Sequence, residues 1–217
     1  MKKTVIFILT ALMFFSVQGT NANANANAYE VGNIIEFGSQ NWLVLDVQDG
    51  HALIISETVK IIGPGHYNYI LLDITWVNCS MRFYLNNEYL NNFNAEERLR
   101  IRETSIVNNN NPWFGTTGGG ATMDRVFMLS AEEVVRYFGD SGQLKNRPAG
   151  MMWISDMYDS ARVGRDDAGN KAFWWLRSPG ALTNLASAID ANGVLWLYGT
   201  GVSNRPLGAR PALWLKL

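Results

Sequence analysis

What is scarce in this 217-residue chain narrows its chemistry early. It has one cysteine, Cys79, so no disulfide can close within it and packing must hold the fold. It has two histidines, His51 and His66, which with a single cysteine cannot complete a structural zinc site. Neither H-E-x-x-H nor C-x-x-C occurs, and both histidines read as structural or surface residues. There is no G-x-S-x-G elbow for a serine nucleophile, and Ser178 precedes a proline. "TTGGGAT" (116–122) lacks the Lys-Ser/Thr that completes a phosphate loop. The residues therefore offer no recognisable catalytic constellation. Charge of one sign is also missing: 18 basic residues stand against 19 acidic ones. That balance argues against nucleic acid, which needs basic patches to displace counterions.

Long apolar runs are absent beyond the first. "VIFILTALMFFSV" (5–17) follows Lys2 and Lys3 and precedes "QGTNANANANA", the layout of a secretory signal peptide with cleavage after Ala24, Ala26 or Ala28. The run is too short for a lasting membrane span. No cysteine lies at the cleavage region to carry a lipid. Losing residues 1–28 removes two lysines and no acid, which shifts the net charge from −1 to −3. The remainder, 29–217, is long enough for one full core and reads as one domain.

What is present is aromatic. All eight tryptophans fall in the mature part, where each ring can bury roughly 150–250 Å². Strands are expected at Asn41–Val47 and His51–Glu57, joined by Asp49-Gly50, since glycine accepts positive φ cheaply. A helix is expected after Thr75, its stripe formed by Val77, Met81, Tyr84 and Leu85. Asn94 with Glu97 marks a second helix start. Ser130 with Glu133 forms an S-x-x-E capping box ahead of Val134, Val135 and Phe138, and Gly139 stops that helix. Residues 105–124, rich in Asn, Gly and Thr, read as one long loop. "ASAID" and "VLWLYG" flank Asn192-Gly193 as a hairpin, and "RPALWLKL" ends the chain as a strand. Strands at both ends with helices between them imply an α+β fold in which the terminal strands share a sheet.

Four motifs in order, "TW…S.R.YLN" from Thr75, "TMDRVFMLSAEEVVRYF" from Thr122, "WWLRSPG" from Trp174 and "ARPALWL" from Ala209, resemble a large family of exported bacterial domains of unknown function. The resemblance runs from Tyr29 to Leu217. That family looks like a branch of the C-type-lectin-like fold, in the version shared with formylglycine-generating sulfatase modifiers. It implies a small twisted antiparallel sheet, short flanking helices and long ordered loops. Two carry-overs fail. The copper-binding cysteine pair of formylglycine-generating enzymes is reduced here to Cys79, and the calcium lectins' Glu-Pro-Asn, Gln-Pro-Asp and Trp-Asn-Asp triplets do not occur. "WISD" (153–156) is no substitute. Some relatives of the fold are varied near the C-terminus by diversity-generating retroelements, and Leu182–Leu207 occupies the corresponding place.

No cofactor or metal is expected. Asp159, Asp166, Asp167 and Asn170 could offer oxygen ligands, but the spacing is not that of an EF-hand and favours a solvated turn. Trp113 and Phe114 either reach out from the loop to a ligand or pin the loop down, and pinning is favoured. "KAFWWLRSPG" (171–180) is read as the keystone of the core rather than a ligand platform. Trp174 and Trp175 should point to opposite faces, one to the core and one to a layer of loops. Arg177, with Asp124 or Asp73 as candidate partner, and Arg210 should tie irregular backbone together. The leading functional expectation is a secreted, non-catalytic recognition domain for a surface glycan or protein. Its contact residues would be Trp113, Phe114, Asn184, Trp196, Tyr198 and Asn204. The alternatives are an enzyme of unidentified chemistry or a structural envelope protein.

Overall fold

The computed structural model describes residues 29–217 except positions 64, 66, 205 and 206. The expected leader and spacer at 1–28, and His66, lie outside the described residues. The chain opens with three antiparallel strands, β1 (Ile34–Phe37), β2 (Gln40–Gln48) and β3 (His51–Ser56). Asp49 and Gly50 take φ values of 49° and 70°, the left-handed pair whose twist matches that of the flanking strands. An irregular connection leads to a 3₁₀ turn at Trp76–Asn78, then to α1 (Ser80–Asn86) and α2 (Ala95–Arg100). Two short strands follow, β4 (Ile101–Arg102) and β5 (Thr104–Ile106), and after a long excursion β6 (Thr122–Asp124). Then come α3 (Ala131–Phe138), β7 (Trp153–Ile154), α4 (Asp159–Arg162), β8 (Gly164–Arg165) and β9 (Lys171–Ala172). The last four strands are β10 (Trp174–Pro179), β11 (Leu185–Ile189), β12 (Leu195–Gly201) and β13 (Ala212–Lys216).

Two sheets carry the fold, ordered β1-β2-β3-β13-β4 and β10-β11-β12-β7, and β5–β6 and β8–β9 form two-stranded ladders. The architecture is mixed α+β with sheet predominating. The terminal strands do meet: β13 runs antiparallel to β3 from Ala212 opposite Ile55 to Lys216 opposite His51. The buried run Val126–Leu129 sits between the sheets. Phe127 exchanges both backbone bonds with Ala212, at 2.9 and 2.7 Å, and the Arg177 N–H donates to the Leu129 carbonyl at 3.0 Å.

Both expected capping boxes are present, at Asn94/Glu97 and Ser130/Glu133. The single helix expected after Thr75 is broken into a 3₁₀ turn and α1, with Cys79 as the true N-cap. Trp76 explains the break. Its ring is fully buried and its indole N–H donates to Asp124 Oδ2 at 2.8 Å, a direction a continuous helix carrying Met81 and Leu85 inward would not allow. Cys79 is buried too, and burial pushes its thiol up to about 12. The expected loop at 105–124 is shorter than the composition implied, because its ends zip into the β5–β6 ladder.

The tryptophan pair is core on both sides. Trp174 stands opposite Ile189 and Trp175 opposite Ala188, so the two rings face opposite ways across β10. Trp174 donates to the Arg162 carbonyl at 3.1 Å, meets Phe138 edge-on at 6.4 Å and lies beneath Arg210 at 5.3 Å. Trp175 meets the edge of Tyr67, from the irregular connection after β3, at 5.9 Å. Arg210 donates to the Ser56 carbonyl at 2.9 Å, and its burial lowers its pKa to about 10.

Arg177 does not use the expected partners. Asp124 is occupied by Trp76, Thr122 and the Nε of Arg82 at 2.7 Å, and Asp73 accepts from Thr183. Arg177 instead forks onto Glu133, with Nη2 to Oε1 at 2.8 Å, and donates to the Met128 carbonyl at 2.8 Å. Glu133 is also the N3 residue of the α3 capping box, its Oε2 accepting the Ser130 N–H at 2.8 Å. A third buried guanidinium, Arg162, was not anticipated. It is fully buried against Asp156 at 3.1 Å and Asp159 at 3.4 Å, and it donates to the Gly139 carbonyl at 2.8 Å.

Two outcomes are expected. Glu133→Ala strips the buried Arg177 of its counter-charge and removes the carboxylate half of the α3 capping box, and should cost about 3–5 kcal/mol in urea unfolding. Exposed Glu132→Ala should stay within about 0.5 kcal/mol. Burial raises the Asp156 carboxyl, but hydrogen bonds from Ser141, the Tyr158 N–H and Arg162 outweigh that and hold it below the usual carboxylate range. Its contribution is therefore present above the unfolded value of about 3.9 and is lost as pH falls through the lower folded one. Asp156→Asn should flatten the stability slope in that acidic window, as followed by thermal melts at stepped pH.

Candidate functional site

On the outer face of the four-stranded sheet several aromatic rings reach solvent side by side. Along β12 the alternation is clean: Leu195, Leu197 and Gly199 are buried, while Trp196 and Tyr198 point out. Trp196 stands directly opposite Trp153 on β7, and the two rings stack at 5.4 Å with 29° between planes. Both remain open to solvent, at 39% and 37%. On the other side of Trp196, β11 contributes only Ala188, paired with Trp196 and Trp175 alike. Beyond it stands Phe173, 45% exposed. The small side chain between large ones leaves a trough of about 290 Å³ lined by Phe173, Ala188, Trp196, Thr200 and Leu207.

The long loop borders this face and is pinned to the domain. Asn111, buried, donates from its amide to the carbonyls of Pro179 and Leu197, each at 2.8 Å. Its Oδ1 accepts the N–H groups of Trp113 and Phe114 at 2.9 and 3.2 Å. The Trp113 indole donates to the Leu144 carbonyl at 2.9 Å. Arg147 lies over Phe114 at 4.4 Å and over Trp113 at 5.2 Å, and Phe114 meets the edge of Tyr198 at 5.8 Å. Trp113 and Phe114 are thus half-buried, the pinning that the sequence favoured, and Phe114 still joins the β12 face.

Of the six expected contact residues, Trp196 lines the trough and Tyr198 shares its face. Asn204 reaches the trough's end by donating to Thr200 Oγ1 at 2.7 Å. Trp113 and Phe114 stand at the border. Asn184 does not belong: its Oδ1 is withdrawn from solvent and has no partner among the described residues. Trp153, Phe173, Arg147 and Asn111 were missed. Phe173 lies between β9 and β10 and is exposed although Trp175, on the same side by alternation, is fully buried, so neither it nor the pairing of Trp153 with Trp196 was readable.

The acidic segment forms no centre. Asp159 serves Arg162, Asp167 serves Lys60 at 2.5 Å, and Asp166 closes a local turn by accepting the N–H groups of Ala168 and Asn170. No group of three His, Cys, Asp or Glu that could hold a metal ion is found among the described residues. His51 bonds to the Asp49 carbonyl at 2.8 Å, the structural role expected of it.

A family model described as a domain of unknown function, DUF6273, matches residues 49–217, and the chain belongs to that family. No curated protein and no solved structure matches it.

Asn111→Ala removes two bonds that hold the loop to the sheet and two that shape the loop itself. Destabilisation of about 1–3 kcal/mol is expected, with new protease cuts between 107 and 121 in limited proteolysis.

Proposed function

We propose that this DUF6273 chain is an exported, non-catalytic recognition domain on a C-type-lectin-like scaffold, meeting a surface glycan or protein through the aromatic face of its four-stranded sheet. One observation carries the reading: the stacked Trp153 and Trp196 stand in solvent beside a preformed trough that the core does not need to fill. Contiguous apolar surface left in water is costly, and its usual reason is contact with something else. Aromatic rings beside an arginine are also the composition of binding hot spots, and Arg147 stacks on Phe114 at the border of this face. The trough's carbon walls suit a flat or aliphatic group, such as the apolar face of a sugar ring or a partner's side chain. Export rests on the basic start, the apolar run and the A-x-A sites at 1–28. The lectin-like scaffold rests on the four ordered motifs and on the small sheets locked by aromatics.

Ala188 provides the test: it is buried at the floor of the trough, and a larger side chain there has to rise into it. Wild-type protein and Ala188→Leu are to be compared on arrays of surface glycans and surface proteins, with circular dichroism to confirm the fold. Loss of the wild-type partner in Ala188→Leu and in Trp196→Ala is expected. A partner retained at full strength by both variants would overturn the assignment of this face.

A further inference from the structure

A second concavity, sharing no lining residue with the trough, opens where the five-stranded sheet, β5 and α3 meet, with a volume of about 330 Å³. Its wall combines two half-buried rings, Tyr137 and Trp214, with the polar rim residues Gln48 and Ser105. At the back, Arg177 and Glu133 also line it, but their forked pair already neutralises both charges.

The informative residues are Glu132 and Arg136. They lie four apart on α3, so they share a face with Cβ atoms roughly 5–6 Å apart, and Glu before Arg at this spacing ordinarily closes an ion pair. Here it does not. Glu132 accepts the Asn109 amide instead, and Arg136 lies over the Tyr137 ring at 5.4 Å. Neither residue makes an ion pair among the described residues. Both are exposed and both line the hollow.

An unpaired carboxylate and an unpaired guanidinium at one mouth select by charge. A simple anion drawn to Arg136 meets Glu132, and a simple cation meets the converse. An uncharged ligand takes water from both groups and returns no counter-charge. A ligand carrying one charge of each sign satisfies both, and its carboxylate can receive the guanidinium's two parallel N–H donors. We propose that this hollow is a binding site for a small zwitterion of the α-amino-acid type. The ammonium faces Glu132, the carboxylate faces Arg136, and the side chain lies against Trp214 and Tyr137. This site is independent of the trough and of the reading given to it.

The test is isothermal titration of the purified chain with free amino acids, their N-acetyl and α-amide derivatives, and neutral hexoses. At least one free amino acid should bind with a sub-millimolar constant. Blocking either end, which removes one charge, should weaken it by about tenfold or more, as should Glu132→Gln and Arg136→Gln, each with an unchanged melting temperature. Ala188→Leu and Trp196→Ala should leave this binding intact, so failure here and failure of the trough reading are separable. The proposal is overturned if no free amino acid binds, if blocked forms bind equally well, if the two hollow variants bind like wild type, or if a hexose is taken in their place.

Discussion

A single carboxylate joins three parts of this molecule. Glu133 closes the capping box that starts α3, and the same group receives the forked guanidinium of Arg177 from the middle of β10. Arg177 in turn holds the Met128 carbonyl in the buried run between the two sheets. Helix start, inter-sheet segment and the edge strand β10 are therefore fixed by one set of charge-assisted bonds. An ion pair with its guanidinium buried stabilises little against an apolar replacement, and its value lies in orientation. Once β10 is held in register, Trp174 and Trp175 have defined directions, and so do the strands that pair outward from it.

The same device recurs wherever the backbone is irregular. Asn111 anchors the long loop, Asn86 supports the turn into Val126 from Oδ1 and Nδ2 together, and Asn68 braces α1 against the connection after β3. Each amide supplies donors and acceptor from one rigid plane, and so stands in for a missing sheet neighbour. In this way backbone groups of segments that lie outside the two sheets still find partners away from water.

Legibility in the sequence followed distance along the chain. Asp49-Gly50, Asn94/Glu97 and Ser130/Glu133 act within a few residues, and each was readable from residue type and spacing. The meeting of β3 with β13 was readable from the general logic of terminal strands. Partner choice across the chain was not. Nothing in "WWLRSPG" distinguishes Glu133 from Asp124, because that depends on Trp76 and Arg82 having already claimed Asp124. The broken helix after Thr75 has the same origin. At the trough, alternation along β12 exposed Trp196 and Tyr198 to sequence reasoning. Trp153 lies in a two-residue strand that only the register of β7 brings beside them.

Cys79 carries a different consequence. It caps α1 from a buried position, its sulfur accepting the Arg82 N–H at 3.4 Å, and burial holds the thiol up to about 12. At neutral pH almost none of it is thiolate, so the folded protein has no nucleophile with which to enter mixed disulfides in an oxidising milieu. The sulfur becomes reactive only when α1 detaches. Its rate of alkylation is therefore a built-in clock for opening of that corner, readable without any added label elsewhere in the chain.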